Sequence, residues 1–164
     1  MRISFVHGAS RDLGALRRMA QRIAPLGWHL EMHLEPDELA AFSEVIGGLP
    51  LPVVIDHMAR IGGAGGVAQP AFQVLLDIVR RDNGWVKISG LERHAADFQA
   101  MLPLARALLD AAPDRVVWGS NYPHPKSLQK PDDAVLLDLV PRFAPDPAVQ
   151  RRLLVDNPAR LYDF

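Results

Sequence analysis

The sequence predicts an α/β domain built on a parallel sheet, and three observations carry that prediction. Five short, mostly apolar stretches begin near residues 2, 28, 52, 85 and 115. Each is followed by a segment whose apolar residues recur at helical spacing. Strands that alternate with helices in this way pair in parallel through right-handed crossovers. Polar residues also gather where the strands end, at His33, at Asp56-His57 and along Gly119-Ser120-Asn121-Tyr122-Pro123-His124. The carboxyl ends of parallel strands are where such sheets keep their chemistry.

The elements follow in order. Arg2 to Val6 alternates as a strand and runs into His7-Gly8-Ala9-Ser10, with Ser10 expected as the N-cap of a helix. Leu13, Leu16, Ala20 and Ile23 form that helix's apolar face until Pro25 and Gly27 stop it. In Trp28 to His33, Trp28, Leu30 and Met32 face one way and His29, Glu31 and His33 the other. Pro36 opens a helix carrying Leu39, Phe42, Val45 and Ile46. Pro52-Val53-Val54-Ile55 is apolar throughout, as in strands buried on both faces. The glycine-rich stretch from Ile61 to Val67 lacks the GxGxxG and GK[ST] spacings of phosphate loops and reads as a flexible active-site loop.

From about Pro70 a helix places Phe72, Leu75, Leu76 and Val79 on one side, and Trp85 to Ser89 is the fourth strand. A helix with Phe98, Leu102, Ala105, Leu108 and Leu109 leads to the fifth, Arg115 to Trp118. There Gly119 permits close backbone approach, and Pro123 and Pro125 stiffen the exit. Asp133 to Val140 and Pro147 to Val155 read as helices, the second with Asp146 as N-cap and Pro147 at its first position. Asn157-Pro158 is expected to end it, leaving Leu161, Tyr162 and Phe164 as an apolar clasp.

With 164 residues, 49% of them hydrophobic, and no linker or shift in composition, residues 1–164 read as one domain. No apolar run is long enough to span a bilayer and no charged, apolar leader is visible, so a cytoplasmic protein without membrane contact is expected. The absence of cysteine excludes disulfides and thiolate metal sites. A net charge of -1, with no basic or acidic block, argues against nucleic acid as a partner. Lys87, Lys126 and Lys130 are the only lysines; the other basic residues are arginines, which suit bidentate capture of carboxylates. The inward row His29, Glu31, His33 and the inward Lys87 favour a barrel interior over an open sheet, with Glu31 and Lys87 as a structural pair. Five βα units are fewer than the eight of a closed barrel, so the expected fold is an incomplete TIM-type (β/α)8 barrel. Its unpaired edges make a homo-oligomer an expectation.

Several segments together resemble the amidohydrolase superfamily, in the subgroup that includes 2-pyrone-4,6-dicarboxylate lactonase. They are Arg2 to Val6, Leu26 to His29, Pro52 to Met58, Trp85 to Ser89, Glu92-Arg93, Val117 to Ser120, Tyr122 to Pro125 and Leu153 to Tyr162. The resemblance implies that the five strands are the fourth to eighth of a (β/α)8 barrel. It implies His33 and His57 as ligands of a divalent metal, zinc or similar, and His57 and Asn121 as catalytic residues. Arg2, Arg93 and His124 would bind a small-molecule substrate. The implied reaction opens a lactone, or a similar ester or amide bond in a small carboxylated ring compound, by activated water.

Three departures bear on these roles. The subgroup's first-strand His-x-His has no counterpart before residue 2. Asn121 stands where the family has an Asp serving as general base, and a neutral amide cannot take a proton from water. Gly8 stands where the lactonase branch has a second arginine. Two histidines also fall short of the three protein ligands usual in a catalytic zinc site, which would leave the metal absent. The alternative expectation is a truncated or degenerate noncatalytic small-molecule-binding α/β domain. Alternatives stand residue by residue as well. Apart from the resemblance, Asp56-His57 reads as a hydrogen-bonded core pair, His33 as a polar interior residue paired with Glu31, Arg2 as a surface residue and His124 as a packing residue between two prolines.

Overall fold

A computed structural model describes residues 1–93, 98–124 and 130–164, with Arg93 and Phe98 described by their backbone alone. Pro125, expected to stiffen the loop, lies outside the described residues. The five strands are β1 (Arg2–Ser4), β2 (Leu30–His33), β3 (Val53–Ile55), β4 (Gly84–Ile88) and β5 (Val116–Trp118). They lie side by side in sequence order, every neighbouring pair parallel. The helices connecting them are α1 (Leu13–Ile23), α2 (Leu39–Gly47), α3 (Pro70–Val79) and α4 (Leu102–Ala111). After β5 come α5 (Asp133–Leu137), α6 (Val140–Phe143), α7 (Pro147–Arg151) and α8 (Asn157–Tyr162).

Alternation along the strands sends residues to two different environments. Leu30, Met32, Val53, Ile55, Val86, Ile88 and Val116 face the helices and join Leu16, Phe42, Ile46, Phe72, Leu75, Leu104 and Leu108 in the main core. Each such burial contributes about 1.5–3 kcal/mol. On the other face, among the described residues, Val54, Trp85, Val117 and Leu161 form an apolar cluster. The rest of that face is polar. Register aligns Arg2 with Glu31 and Ser4 with His33, so polar inward side chains from different strands stand level with one another.

Local details differ from expectation for identifiable reasons. Asp12, not Ser10, caps α1, its Oδ1 accepting from the Gly14 and Ala15 N–H groups at 2.8 and 3.0 Å. A carboxylate at that position satisfies two orphan donors of the first turn. Gly27 takes a left-handed φ of 70° and closes a short 3-10 turn, so β2 begins only at Leu30 and Trp28 stays 51% exposed. The segment after Glu35 makes a 3-10 turn, Pro36–Glu38, with a capping box between Glu35 and Glu38, before α2 starts. The glycine-rich stretch is tied down: Gln69 Nε2 donates to the carbonyls of Gly62 and Gly66 at 2.9 and 2.7 Å. Gly63 packs so closely on the Ala100 backbone that a Cβ would stand 2.4 Å from its carbonyl oxygen. The predicted helix over 133–140 is interrupted between Leu137 and Val140.

Asn157-Pro158 does not end the last helix. The chain widens into a π-helical turn over Arg152–Asp156 and continues as α8, with Pro158 directly after the widened turn. The Asn157 side chain is buried and donates to the carbonyls of Pro113 and Val116 at 2.9 and 2.7 Å, tying α8 to the entry of β5. Of the expected clasp only Leu161 is buried; Tyr162 and Phe164 are exposed. Asn157→Ala would leave both carbonyls unsatisfied in the interior and is expected to cost about 1–3 kcal/mol. Urea denaturation should show this as a lowered midpoint with an unchanged slope.

Candidate active site

The polar inward face carries four charges at mid-depth. Lys87 Nζ pairs with Glu31 and stands 3.5 Å from Asp56 Oδ1. The Arg2 guanidinium pairs with Asp56 Oδ2 and reaches Glu31 at 3.9 Å. Burial by itself would raise the Asp56 carboxyl, but His57, Lys87 and Arg2 beside it outweigh burial and hold its pKa below the usual value. For Lys87 burial works downward and is outweighed by Asp56 and Glu31, so its pKa is raised. Asp56 and Lys87 thus stabilise each other in their charged forms.

Above this layer the chain leaves β3 in a left-handed turn. His57, Met58, Ala59 and Arg60 all have φ between 49° and 59°. Each such non-glycine residue costs roughly 1–2 kcal/mol. Burial of Met58 and Ala59 and the pairing of Arg60 with Glu35 at 3.0 Å offset that strain. The turn brings the His57 ring back against the sheet. Its Nδ1 lies 2.7 Å from Ser89 Oγ and its Nε2 lies 3.2 Å from Asp56 Oδ2.

His33 stands edge-on to His57, ring centroids 5.2 Å apart, with its Nδ1 3.1 Å from Ser4 Oγ. It is 2% exposed, and its Nε2 is buried without a hydrogen-bond partner among the described residues. Burial, followed by the adjacent His57, lowers its pKa to about 4.

On the far wall, Glu92 follows β4 in a 3-10 turn, Leu91–Arg93. Its Oε1 accepts from Asn121 Nδ2 at 2.7 Å and lies 3.1 Å from His124 Nδ1. The other His124 nitrogen is 3.1 Å from Asp133 Oδ1.

Arg2, Asp56, His57, Lys87, Ser89 and Asn121 line one cleft of about 380 Å³ at the carboxyl ends of the strands. Of the predicted site residues, the structure thus brings Arg2, His57 and Asn121 together and sets His33 against His57. His124, expected to touch substrate, is buried and is not among the described residues lining the cleft. The backbone of Arg93 closes the turn after β4, and its side chain lies outside the described residues. The glycine-rich stretch does not line this cleft. Sequence reasoning passed over Ser4, Ser89 and Glu92. Ser89 had a signal, since it lies two residues beyond the inward Lys87 and so shares its face; Glu92, held in a turn, had none.

The fit to a metal is limited. His33 Nε2 is an uncommitted donor, but both His57 nitrogens are engaged by Ser89 and Asp56. Among the described residues no group of three or more His, Asp or Glu stands where it could share one ion, whereas a catalytic zinc takes three protein ligands. The residues described do not by themselves form a metal centre.

Two outcomes follow. Lys87→Met should destabilise the protein by about 3–5 kcal/mol, because Glu31 and Asp56 would be left near each other with less positive charge. Adding Glu31→Gln should recover a large part, a coupling that a double-mutant cycle of unfolding free energies would read. His33 contributes a pH dependence of stated sign. Between pH 6.5 and about 4 the unfolded chain protonates this histidine and the folded chain does not, so stability falls as pH falls through that window. Denaturation at a series of pH values should show a shallower decline in His33→Asn than in the parent.

Comparison with known proteins agrees with this architecture. The family model described as Amidohydrolase matches residues 1–164. A 4-sulfomuconolactone hydrolase from Rhizobium radiobacter is 41% identical over 165 residues, covering 95% of this chain and 54% of that protein. A 2-pyrone-4,6-dicarboxylate hydrolase from Comamonas testosteroni is 38% identical over 160 residues, covering 90% and 52%. A Pseudomonas putida protein solved as a candidate 2-pyrone-4,6-dicarboxylic acid hydrolase superposes with a TM-score of 0.86 at 26% identity, over 99% of this chain and 62% of that one. The chain spans about half the length of the curated relatives it matches. Matched by the family model from its first residue to its last, and carrying the family's parallel α/β sheet, the chain belongs to the amidohydrolase family.

Proposed function

We propose that this protein is a hydrolase that opens a lactone, or a similar ester or amide bond, in a small anionic ring compound, and that its strands correspond to the fourth to eighth of a (β/α)8 barrel. The observation that carries the reading is the placement of His57 at the wall of a strand-end cleft, with one ring nitrogen against an ionised carboxylate and the other against a hydroxyl. The substrate class is supported by two relatives named for hydrolysing 4-sulfomuconolactone and 2-pyrone-4,6-dicarboxylate, both anionic cyclic esters.

The chemistry follows from donors and acceptors. An ionised carboxylate only accepts, so Asp56 Oδ2, 3.2 Å from His57 Nε2, favours the tautomer with its proton there and Nδ1 as the base. That nitrogen takes a proton from the attacking oxygen and returns it to the ring oxygen as the ester bond breaks. Lys87 and Arg2 give the cleft its positive groups, suited to an acidic substituent or to the charge developing on the carbonyl oxygen. Asn121, its amide nitrogen held by Glu92, acts as a neutral hydrogen-bonding wall rather than as a base.

Because position 57 is left-handed, asparagine is the replacement that preserves the turn. His57→Asn should lower kcat/KM for a carboxylated or sulfonated lactone by about 10²–10⁴ while leaving the unfolding midpoint near that of the parent. Failure of the parent protein to open any member of such a lactone panel, with binding still seen by calorimetry, would favour the noncatalytic binding domain instead.

A further inference from the structure

Glu92 is costly to bury, and its one direct effect on the cleft is its hold on Asn121. It leaves β4 in the turn Leu91–Arg93, and its side chain is 5% exposed. Oε1 accepts from Asn121 Nδ2 at 2.7 Å and lies 3.1 Å from His124 Nδ1. Oε2 is buried with no hydrogen-bond partner among the described residues. A carboxyl group kept from water with one oxygen bare is unfavourable, and an apolar side chain of similar size would fill the same space at less cost. Packing therefore does not account for Glu92, and a buried polar group left in this state calls for a functional explanation.

The explanation lies in what Glu92 does to its neighbour. Asn121 lines the cleft; Glu92 is not among the described residues that do. A side-chain amide carries a donor nitrogen and an acceptor oxygen that point in different directions. An accepting carboxylate oxygen suits only one of the two orientations, with the nitrogen toward Glu92 and the oxygen away from it. The backbone narrows the choice of residue further. Asn121 has a left-handed φ of 71°, a conformation that glycine, asparagine and aspartate adopt most readily. Glycine would offer Glu92 no donor, and aspartate would set a second acid against it. Asparagine alone of the three donates.

The hold is itself anchored. His124 is 2% exposed, with one ring nitrogen against Glu92 and the other 3.1 Å from Asp133 Oδ1 at the start of α5. The Ser120 side chain also hydrogen-bonds to Asp133. Ser120 and Asn121 are adjacent and both line the cleft, so the contacts leave the cleft wall, pass through α5 and return to it.

We propose that Glu92 is a positioning residue that turns the Asn121 carbonyl oxygen Oδ1 into the cleft, where it accepts a hydrogen bond from the attacking water. One hydrogen of that water is directed at His57, which takes it as a proton; the other is held by Oδ1, which does not take it. With both hydrogens directed, a lone pair of the water oxygen faces the substrate carbonyl. The opposite amide orientation would offer the water a donor and lose this alignment. The role of the water rests on the lactone-hydrolase reading; the orientation of the amide does not, and the test separates them.

The first measurement is the nitrogen-15 proton spectrum of the side-chain amides, with the Asn121 signals identified by their absence from Asn121→Gly, a change that suits the left-handed φ. In the parent they should be displaced to low field and exchange slowly with water, and in Glu92→Leu they should lose both properties. Ordinary, rapidly exchanging Asn121 signals in the parent, or signals indifferent to Glu92→Leu, overturn the proposal whether or not lactones are opened. The expected spectra without hydrolysis of any lactone would instead remove the hydrolase reading and leave Glu92 as the group that orients the cleft wall. The second measurement is kinetic. Glu92→Leu should lower kcat for the lactone about 10–10²-fold with KM little changed. Glu92→Gln, which keeps an oxygen in the Oε1 position, should recover most of that loss. Asn121→Gly should lower kcat similarly, and adding Glu92→Leu to it should cost nothing more, because Glu92 acts through Asn121. Losses that multiply, a Glu92→Gln variant as slow as Glu92→Leu, or an effect on KM alone would overturn the proposal and reduce Glu92 to an anchor of the loop.

Discussion

The four-charge layer on the inward face of the sheet is the constraint from which the site follows. Arg2, Glu31, Asp56 and Lys87 come from four different strands or strand ends and meet only because those strands are parallel and in register. Taking one such ion out of water costs several kcal/mol even after relaxation, and attraction between partners offsets that only when every member has an opposite neighbour. Here each has one. The layer therefore contributes little net stability but fixes which protonation states survive in the cleft. An ionised Asp56 is the consequence that matters, because it stands 3.2 Å from a ring nitrogen of His57 at the wall of the cleft.

A second constraint is the left-handed turn at His57–Arg60. Four consecutive non-glycine residues in that region are unfavourable together, and nothing in the parallel sheet requires them. An ordinary exit from β3 would carry residue 57 onward toward the following helix. The turn instead folds it back over the strand ends, against His33 and Ser89. Strain of this kind persists where surrounding packing over-determines it and commonly marks a functional site. The buried Met58 and Ala59 are the anchors, so the apolar core on the helix side holds the polar residue on the other side in place.

Much of this was legible in the sequence because it depends on periodicity. Alternation over Leu30 to His33 and over Trp85 to Ser89 separates core-facing from inward residues without any knowledge of the partner strands, and it pairs Glu31 with Lys87. The strand-end positions of His57 and Asn121 followed in the same way. What could not be read was anything set by backbone dihedrals or by contacts across turns. The left-handed turn is encoded by no glycine. Asn157 looked like a helix stop because its side chain's two acceptors, Pro113 and Val116, lie more than 40 residues earlier. Trp28 continued the alternation of the second strand on paper, but Gly27 turns the chain just before it and leaves it in solvent.

The amide at position 121 is consistent with this distribution of charge. The Glu92 side chain is 5% exposed, and its Oε1 already lies against Asn121 Nδ2 at 2.7 Å and His124 Nδ1 at 3.1 Å. A carboxylate at position 121 would set two acidic groups in contact where little water reaches, and one would have to stay protonated. An amide donates to Glu92 and adds no charge. The consequence reaches across the cleft, since a wall that cannot take a proton leaves that work to the opposite side. There Asp56 is held ionised by its cations, with His57 Nε2 3.2 Å from its Oδ2. The neutral wall and the basic wall are thus two results of one requirement, that each buried charge be balanced by a neighbour.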